Sequence, residues 1–248
     1  MIIIPTYNEC QNVATVVSRI RISVGQEPIL FVDDSSPDGT AEEVRRLQRA
    51  DPNIRLMVRT SQRGFGAACR EAYQRVIDER LADYVIQLDA DLSHPPEALP
   101  TMIELLKAWP VVVGSRYVRG GGTQNWDLRR RFLSRGGNLY ARLLTGVPVH
   151  DLTAGFMGYQ VPSLKQIALS RIRSEGYAFL MEMKYSLHKA GVPIQEFPIT
   201  FTEREAGKSK FSGRIVLEGI AYPLKVLSQR TLGVFQPDGS GKGPDYRP

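Results

Sequence analysis

Apolar residues fall along this chain in short runs separated by longer stretches of helical spacing. Ile2 to Ile4, Pro28 to Val32 and Ile54 to Val58 have strand length, and the segments between them carry apolar residues on one helical face and charges on the other. That rhythm predicts βαβ units, a parallel sheet and helices on both of its faces. The second helix is predicted to start at Thr40-Ala41-Glu42-Glu43, with the Thr40 hydroxyl as cap and Glu43 reaching back. A third helix is expected from about Gly66 to Arg80, a fourth strand at Tyr84 to Leu88, and a further strand at Val111 to Gly114 that completes the sheet. The first run starts at residue 1, which is abrupt for a central strand and leads us to expect a few residues upstream.

Beyond Gly120 the rhythm loosens. A Gly-rich stretch leads to an arginine-rich helix from about Trp126 to Leu144, then a short strand near Gly155 to Tyr159 and another at Ile194 to Thr202. Residues Phe211 to Phe235 form an amphipathic segment that Pro223 should kink. Either it lies in a membrane interface or it packs on the domain's own core. The Gly- and Pro-rich end, 236–248, is expected to be disordered. We therefore expect one α/β domain over residues 1–230, with a nucleotide-binding half over about 1–118 and an acceptor-binding half over about 119–230.

Composition narrows the partners. The chain has 248 residues and a formal charge of +6, so anions are favoured partners. The arginines and lysines gather in two clusters, Arg129-Arg130-Arg131 with Arg135 and Arg204, Lys208, Lys210 with Arg214, which suits discrete phosphate sites better than a track along nucleic acid. No apolar run reaches the roughly 18 residues of a membrane span, and the start has no signal-peptide pattern, so the chain is expected to stay in the cytoplasm. Cys10 and Cys69 read as reduced, buried thiols.

The most specific chemistry is Asp89-Ala90-Asp91, directly after the apolar run Tyr84 to Leu88. Carboxylates at the C-terminal end of a parallel strand stand where open α/β sheets bind ligands, and hard oxygens suit Mg²⁺ or Mn²⁺. Such an ion neutralises charge on a departing diphosphate. Pro5-Thr6-Tyr7-Asn8-Glu9 and Asp33-Asp34 end two other strands on the same edge. There Tyr7 could stack on a base, and Glu9 and Asp34 could accept hydrogen bonds from a nucleoside. For Asp33 a turn with Ser35-Ser36-Pro37-Asp38-Gly39 is an equal reading. His94, before Pro95-Pro96, reads more readily as a structural donor in a turn than as a base.

Taken together, these motifs with Gly114-Ser115-Arg116-Tyr117 and Glu203-Arg204-Glu205-Ala206-Gly207-Lys208-Ser209-Lys210 resemble the dolichol-phosphate (polyprenol-phosphate) mannosyltransferases, family 2 glycosyltransferases with the GT-A fold. The resemblance spans about residues 1–230. It implies a Rossmann-like, mostly parallel sheet flanked by helices, and transfer of mannose from GDP-mannose to dolichyl or polyprenyl monophosphate with inversion. It implies that Pro5, Tyr7, Glu9, Val32 and Asp34 hold the nucleoside, that Asp89, Ala90 and Asp91 meet the diphosphate and the metal, and that Arg116, Arg204 and Lys210 face phosphates and sugar. Arg130 and Ser134 in Trp126-Asp127-Leu128-Arg129-Arg130-Arg131-Phe132-Leu133-Ser134 would contact the acceptor phosphate. Ser35 stands where the family usually has Gly, and Met157 where it commonly has a polar residue.

A lipid monophosphate has a second pKa of about 6, so it is largely a dianion at neutral pH and needs no general base. Alignment, a metal and surrounding cations suffice. The expected setting is the cytosolic face of a membrane, where the protein is peripheral and membrane-anchoring subunits share in holding it; nucleic acid is not an expected partner. Two other readings remain: transfer from a UDP-sugar such as UDP-glucose to the same lipid phosphate, and a non-catalytic nucleotide- or RNA-binding module. Asp91-Leu92-Ser93-His94 and the lack of two C-terminal spans resemble the mannosyl branch more than the glucosyl one, and the acidic motif tells against the binding module.

Overall fold

The structure is a computed structural model that describes residues 1–61, 63–203 and 213–231, apart from the Arg214 side chain. Arg204, Lys208, Ser209, Lys210 and Phe211, the side chain of Arg214 and the tail 236–248 therefore lie outside the described residues. The first half runs β1 (Ile2–Thr6), α1 (Cys10–Val24), β2 (Ile29–Asp33), α2 (Thr40–Ala50), β3 (Ile54–Val58), α3 (Phe65–Asp78), β4 (Tyr84–Gln87), α4 (Leu99–Ala108) and β5 (Val111–Ser115). There follow β6 (Gly122–Gln124), α5 (Leu128–Thr145), β7 (Met157–Gln160), the single turn α6 (Val161–Leu164), α7 (Gly176–Lys189), β8 (Ile194–Pro198), β9 (Thr200–Thr202) and α8 (Gly213–Thr231).

Seven strands form one sheet in the order β3-β2-β1-β4-β7-β5-β8. All pairings are parallel except those of β7, which runs antiparallel between β4 and β5. The strand at Val111 to Gly114 therefore does not complete the sheet beside β4. A strand from the second half of the chain is inserted there, and β8 adds the edge. The run expected at Ile194 to Thr202 also divides: β8 joins the large sheet, and β9 turns away at Ile199 to pair with β6 in a two-stranded ribbon.

Alternation along the strands feeds two cores. Ile3, Leu30, Val85 and Val113 face Tyr73 and Val76 of α3 and Phe179 and Met183 of α7. Ile2, Ile4, Ile86 and Val112 face Val13 and Ile20 of α1, Val44 of α2 and Met102 of α4. A third cluster joins α5, α7 and α8 through Ala141, Met181, Tyr222 and Val226. Met157, on β7, is buried in the first core, so its departure from the family pattern concerns packing. Cys69 is buried as expected, whereas Cys10 is only half-buried at the start of α1.

The predicted cap of α2 is differently built. Gly39, in the left-handed region at φ 89°, precedes the helix, Thr40 is its first residue, and Glu43 pairs with Arg46. The Thr40 hydroxyl instead accepts the backbone N–H of Glu9, 3.0 Å away, at the start of α1. Ser35 adopts φ 54°, a conformation that favours glycine, and its hydroxyl donates to the Arg59 carbonyl at 2.6 Å. This accounts for the glycine usual at that position.

At the start of α3, the Glu175 carboxylate accepts the N–H groups of Gly66 (2.6 Å) and Ala67 (3.0 Å), satisfying donors that a helix leaves open at its first turn. A Cβ on Gly66 would stand 2.6 Å from the Ser174 carbonyl oxygen. Helix propensity alone makes Gly66→Ala stabilising by about 1 kcal/mol. The backbone clash should reverse the sign and destabilise by about 1–3 kcal/mol in urea unfolding; a gain in stability would refute this packing account.

Candidate active site

The C-terminal ends of β1, β2, β4 and β5 share one edge, and residues following β1, β4 and β5 open there into a cavity of about 240 Å³. Its lining includes Pro5, Glu9, Asp89, Ala90, Asp91, Arg116 and Arg130, so the structure brings these seven sequence-predicted residues together. Tyr7, Val32, Asp34 and Ser134 are not on its lining.

Asp89 and Asp91 follow β4 on a tight turn. Leu92 is forced to φ 63°, an unfavourable conformation for a bulky side chain of the kind that clusters at functional sites. Asp91 Oδ1 accepts the Ser93 N–H (3.1 Å) and hydroxyl (2.6 Å), which fixes the buried carboxylate. The Asp89 carboxylate is one-third exposed. Among the described residues no three His, Cys, Asp or Glu side chains form a metal-binding group. Two hard carboxylates fit a divalent ion such as Mg²⁺ that completes its shell with water and ligand phosphates. His94 holds the turn structurally: its Nδ1 accepts the Asp89 N–H at 3.2 Å. Its ring stacks on Phe156 and meets the edge of Phe201, so it orients the turn.

Arg116 differs from expectation. Its guanidinium does not stand open to phosphates but forms a buried bidentate pair with Asp151, Nε to Oδ2 and Nη2 to Oδ1, both 2.7 Å, and also donates to Thr153 Oγ1 at 2.8 Å. Burial opposes both charges, but their mutual attraction and hydrogen bonds outweigh it, so the Arg116 pKa is raised and that of Asp151 lowered. Arg116 still lines the cavity, and its charge also lies near the rings of Tyr117, Trp126 and Phe201, 5.1–5.6 Å from their centroids. Beneath this pair Lys184 of α7 is fully buried and donates to the carbonyls of Leu152 (3.1 Å) and Ala154 (2.8 Å). Glu196 of β8 accepts the N–H groups of His150 and Asp151. Asp151, Thr153 and Lys184 were not among the expected residues. A lysine in the apolar spacing of Leu180, Met183 and Leu187 was the available signal for Lys184; Asp151 had none.

At the end of β1, Pro5 and Glu9 reach the cavity, and Glu9 accepts from Asn12 Nδ2 at 2.8 Å. Tyr7 lies half-buried outside it, its hydroxyl accepting from Arg63 at 2.8 Å and its ring covered by that guanidinium. Asp34 is buried and bonded to Arg59 and to the Gly64 N–H, so its carboxylate organises the loop after β3. The Val32 side chain belongs to the core, which leaves only its backbone as a possible contact. Asp33 forms the turn that was its alternative reading, accepting the Ser36 N–H (2.9 Å) and hydroxyl (2.5 Å).

On the far wall, the Asp127 carboxylate caps α5 by accepting the Arg130 N–H at 2.8 Å. Arg130 stacks on Trp126, 4.1 Å from its centroid, and pairs with Glu203. Ser134, one turn on, accepts the Tyr117 hydroxyl at 2.6 Å. Arg204 and Lys210 belong to the residues not described.

Comparison with known proteins gives the family and the fold. The sequence model of Glycosyl transferase family 2 matches residues 1–168. The undecaprenyl-phosphate mannosyltransferase of Micrococcus luteus is 40% identical over 218 residues, 88% of this chain and 89% of its own length. The polyprenol monophosphomannose synthase of Mycolicibacterium smegmatis is 41% identical over 89% of this chain and 83% of its own. The dolichol-phosphate mannosyltransferase of Saccharomyces cerevisiae is 33% identical over 88% and 82%. Among solved structures, glucosyl-3-phosphoglycerate synthase from Mycobacterium tuberculosis, in complex with Mn²⁺, UDP and phosphoglyceric acid, superposes with a TM-score of 0.65 at 16% identity, covering 91% of this chain and 77% of that one. At that identity the likeness concerns the fold, which is the GT-A arrangement.

Burial pushes the Lys184 pKa down to about 7, against the pull of Asp151 and Glu196. Between about 7 and its ordinary 10.5 the unfolded chain binds the proton and the folded chain does not, so this residue makes stability rise with pH across that window. Subtracting the unfolding free energy of Lys184→Met from that of wild type, at pH 6.5, 8 and 9.5, should give a difference that grows with pH. A pH-independent difference would show that the buried ammonium titrates elsewhere.

Proposed function

The chain belongs to glycosyl transferase family 2 and is a glycosyltransferase, and on that premise we propose that it transfers mannose from GDP-mannose to polyprenyl monophosphate with inversion. The observation that carries the reading is the meeting of Asp89 and Asp91 with Arg116 and Arg130 on the lining of one cavity. Its relatives named for mannose transfer to undecaprenyl, polyprenol and dolichol phosphates support the acceptor class.

In this reading Pro5, Glu9 and the Val32 backbone, with Tyr7 and Asp34 at the outer rim, hold the nucleoside. Asp89 and Asp91, beside the Ala90 backbone, hold Mg²⁺ or Mn²⁺, which supplies charge neutralisation for the departing diphosphate. Arg130 and Ser134 receive the acceptor phosphate, and the positive charge of Arg116 lies behind them. Arg204 and Lys210 complete the cationic set. An oxygen of the lipid phosphate attacks the anomeric carbon from the side opposite the nucleoside diphosphate; the new C–O bond forms as the old one breaks and its electron pair leaves with the diphosphate. Single displacement turns an α-linked donor into a β-linked product. No proton has to be removed from the attacking oxygen, in keeping with a His94 engaged in holding the turn.

The acceptor's hydrocarbon requires the protein to work at a bilayer surface. No helix of the described residues is long and apolar enough to cross a membrane. The segment expected either to lie in the interface or to pack on the core has a face for each: Tyr222 and Val226 of α8 are buried against α5 and α7, while Leu217, Ile220 and Leu224 are exposed. We place that exposed face, with the Leu139 and Leu143 side of α5, against the membrane, so that the protein is peripheral.

A donor panel with polyprenyl phosphate tests the assignment: GDP-mannose should turn over far faster than UDP-glucose, and preference for a UDP-sugar would overturn it. Asp91→Asn, which keeps an oxygen for the Ser93 N–H and hydroxyl, should lower kcat by about a hundredfold or more while the unfolding midpoint stays near that of wild type. Excess chelator should stop turnover, and Mg²⁺ or Mn²⁺ should restore it; full activity in chelator would remove the metal from the reading.

A further inference from the structure

The helix α5 presents two faces of different chemistry. Its inward positions Arg130, Ser134, Asn138 and Ala141 run from the cavity to the core. Its outward positions Leu128, Arg131, Phe132 and Arg135 follow the i, i+3, i+4, i+7 spacing of a single helical stripe. Leu128 and Phe132 are 80% and 79% exposed, so the stripe has no apolar partner within the described chain. With Tyr117, Gly122 and Thr123 these four residues line a groove of about 570 Å³, within the size range of small-molecule sites.

The groove is cationic. Arg131 donates to the Thr123 carbonyl at 3.2 Å, and Arg135 lies 6.0 Å from the Tyr117 ring centroid. Among the described residues neither is ion-paired to a carboxylate, and α5 itself contains no acid. Arg116 and Tyr117 form its inner end, and the Tyr117 hydroxyl is bonded to Ser134. The groove therefore opens beside the place proposed for the acceptor phosphate without sharing Arg130 or Ser134.

From this juxtaposition we propose that the groove between β6 and α5 binds the headgroup of an anionic bilayer phospholipid, with Arg131 and Arg135 on its phosphate and Leu128 and Phe132 against its acyl chains. The proposal rests on the lipid-phosphate reading for its location, since that reading sets this face at a bilayer. Charge complementarity selects an anion, and an apolar side chain three positions, about one helical turn, before each arginine selects a lipid over a purely polar polyanion. The site would set the depth and tilt of α5 in the interface and so present Arg130 and Ser134 to acceptors diffusing in the same leaflet.

The test is co-sedimentation of the full chain with phosphatidylcholine vesicles containing 0–30 mol% phosphatidylglycerol and no acceptor, at about 0.15 M salt. Wild type should bind increasingly with phosphatidylglycerol. Arg131→Gln/Arg135→Gln should lose about thirtyfold in partitioning at the highest fraction, the product of two arginines at the usual per-residue attraction to an anionic leaflet. Arg129→Gln, exposed on the same helix but off the stripe, should lose less than about twofold, well short of the roughly fivefold that one arginine at the surface contributes. A loss of about fivefold in Arg129→Gln, the share of one arginine, would mean diffuse charge and overturn the groove, as would wild-type binding indifferent to phosphatidylglycerol. Leu128→Ser/Phe132→Ser should weaken binding to both vesicle types, and unchanged binding would remove the acyl contact. Turnover of GDP-mannose with a short water-soluble prenyl phosphate is read separately. If it fails in wild type, the function is wrong; if it persists at the wild-type rate in the double variant while vesicle binding falls, the groove is a docking site and not part of the catalytic cavity.

Discussion

The bidentate pair between Arg116 and Asp151 is the constraint around which the cavity is arranged. It joins the end of β5 to the segment leading into β7, two strands that are neighbours in the sheet but far apart in sequence. With exposures of 6% and 0%, neither charge has water to fall back on, and removing one partner of such a pair costs about 3–5 kcal/mol. Lys184 and Glu196 extend the arrangement, one through the carbonyls of Leu152 and Ala154, the other through the N–H groups of His150 and Asp151. The segment 150–154 is thereby held from α7 on one side and β8 on the other. That segment supplies Thr153 and Ala154 to the cavity wall, so the shape of the basic side depends on charges buried beneath it.

Much of this could be read in the sequence wherever the determinant was local. The apolar runs located β1 to β5, and carboxylates directly after a buried strand pointed to the edge at which the cavity opens, because a strand's end carries its neighbours with it. What escaped was set by partners distant along the chain. The cap expected from Thr40 went to the helix beginning 30 residues earlier, and Arg116 was expected to face phosphates because nothing near it in sequence reveals Asp151, 35 residues on. The insertion of β7 between β4 and β5 was hidden for the same reason: a four-residue strand shows its alternation but not its pairing.

Amphipathic segments posed a different difficulty. The stretch containing α8 offered two readings that sequence could not separate, interface or core, because a helix has more than one face. The structure assigns one face to Tyr222 and Val226 and another to Leu217 and Ile220. The arginines of α5 divide in the same manner, since neighbours in sequence lie about 100° apart around a helix. Arg130 turns to the cavity and Arg131 to the groove, and no count of basic residues distinguishes them.

The turns after β1 and β2 are stitched together by side chains: Ser36 Oγ accepts the Asn8 N–H, Asp38 that of Cys10 and Thr40 that of Glu9, at 2.9, 3.1 and 3.0 Å. Three successive amides of one turn are thus bound by alternate residues of the other, so neither can shift alone. The ordering entropy of that wall is met when the chain folds and not when a ligand arrives. Such a wall discriminates by rigidity. In the proposed reading this wall lies beside the nucleoside, so altering which base is accepted would require coordinated changes in both turns, and drift in donor preference along this lineage should appear as paired substitutions at positions 8–10 and 36–40, with single changes there selected against.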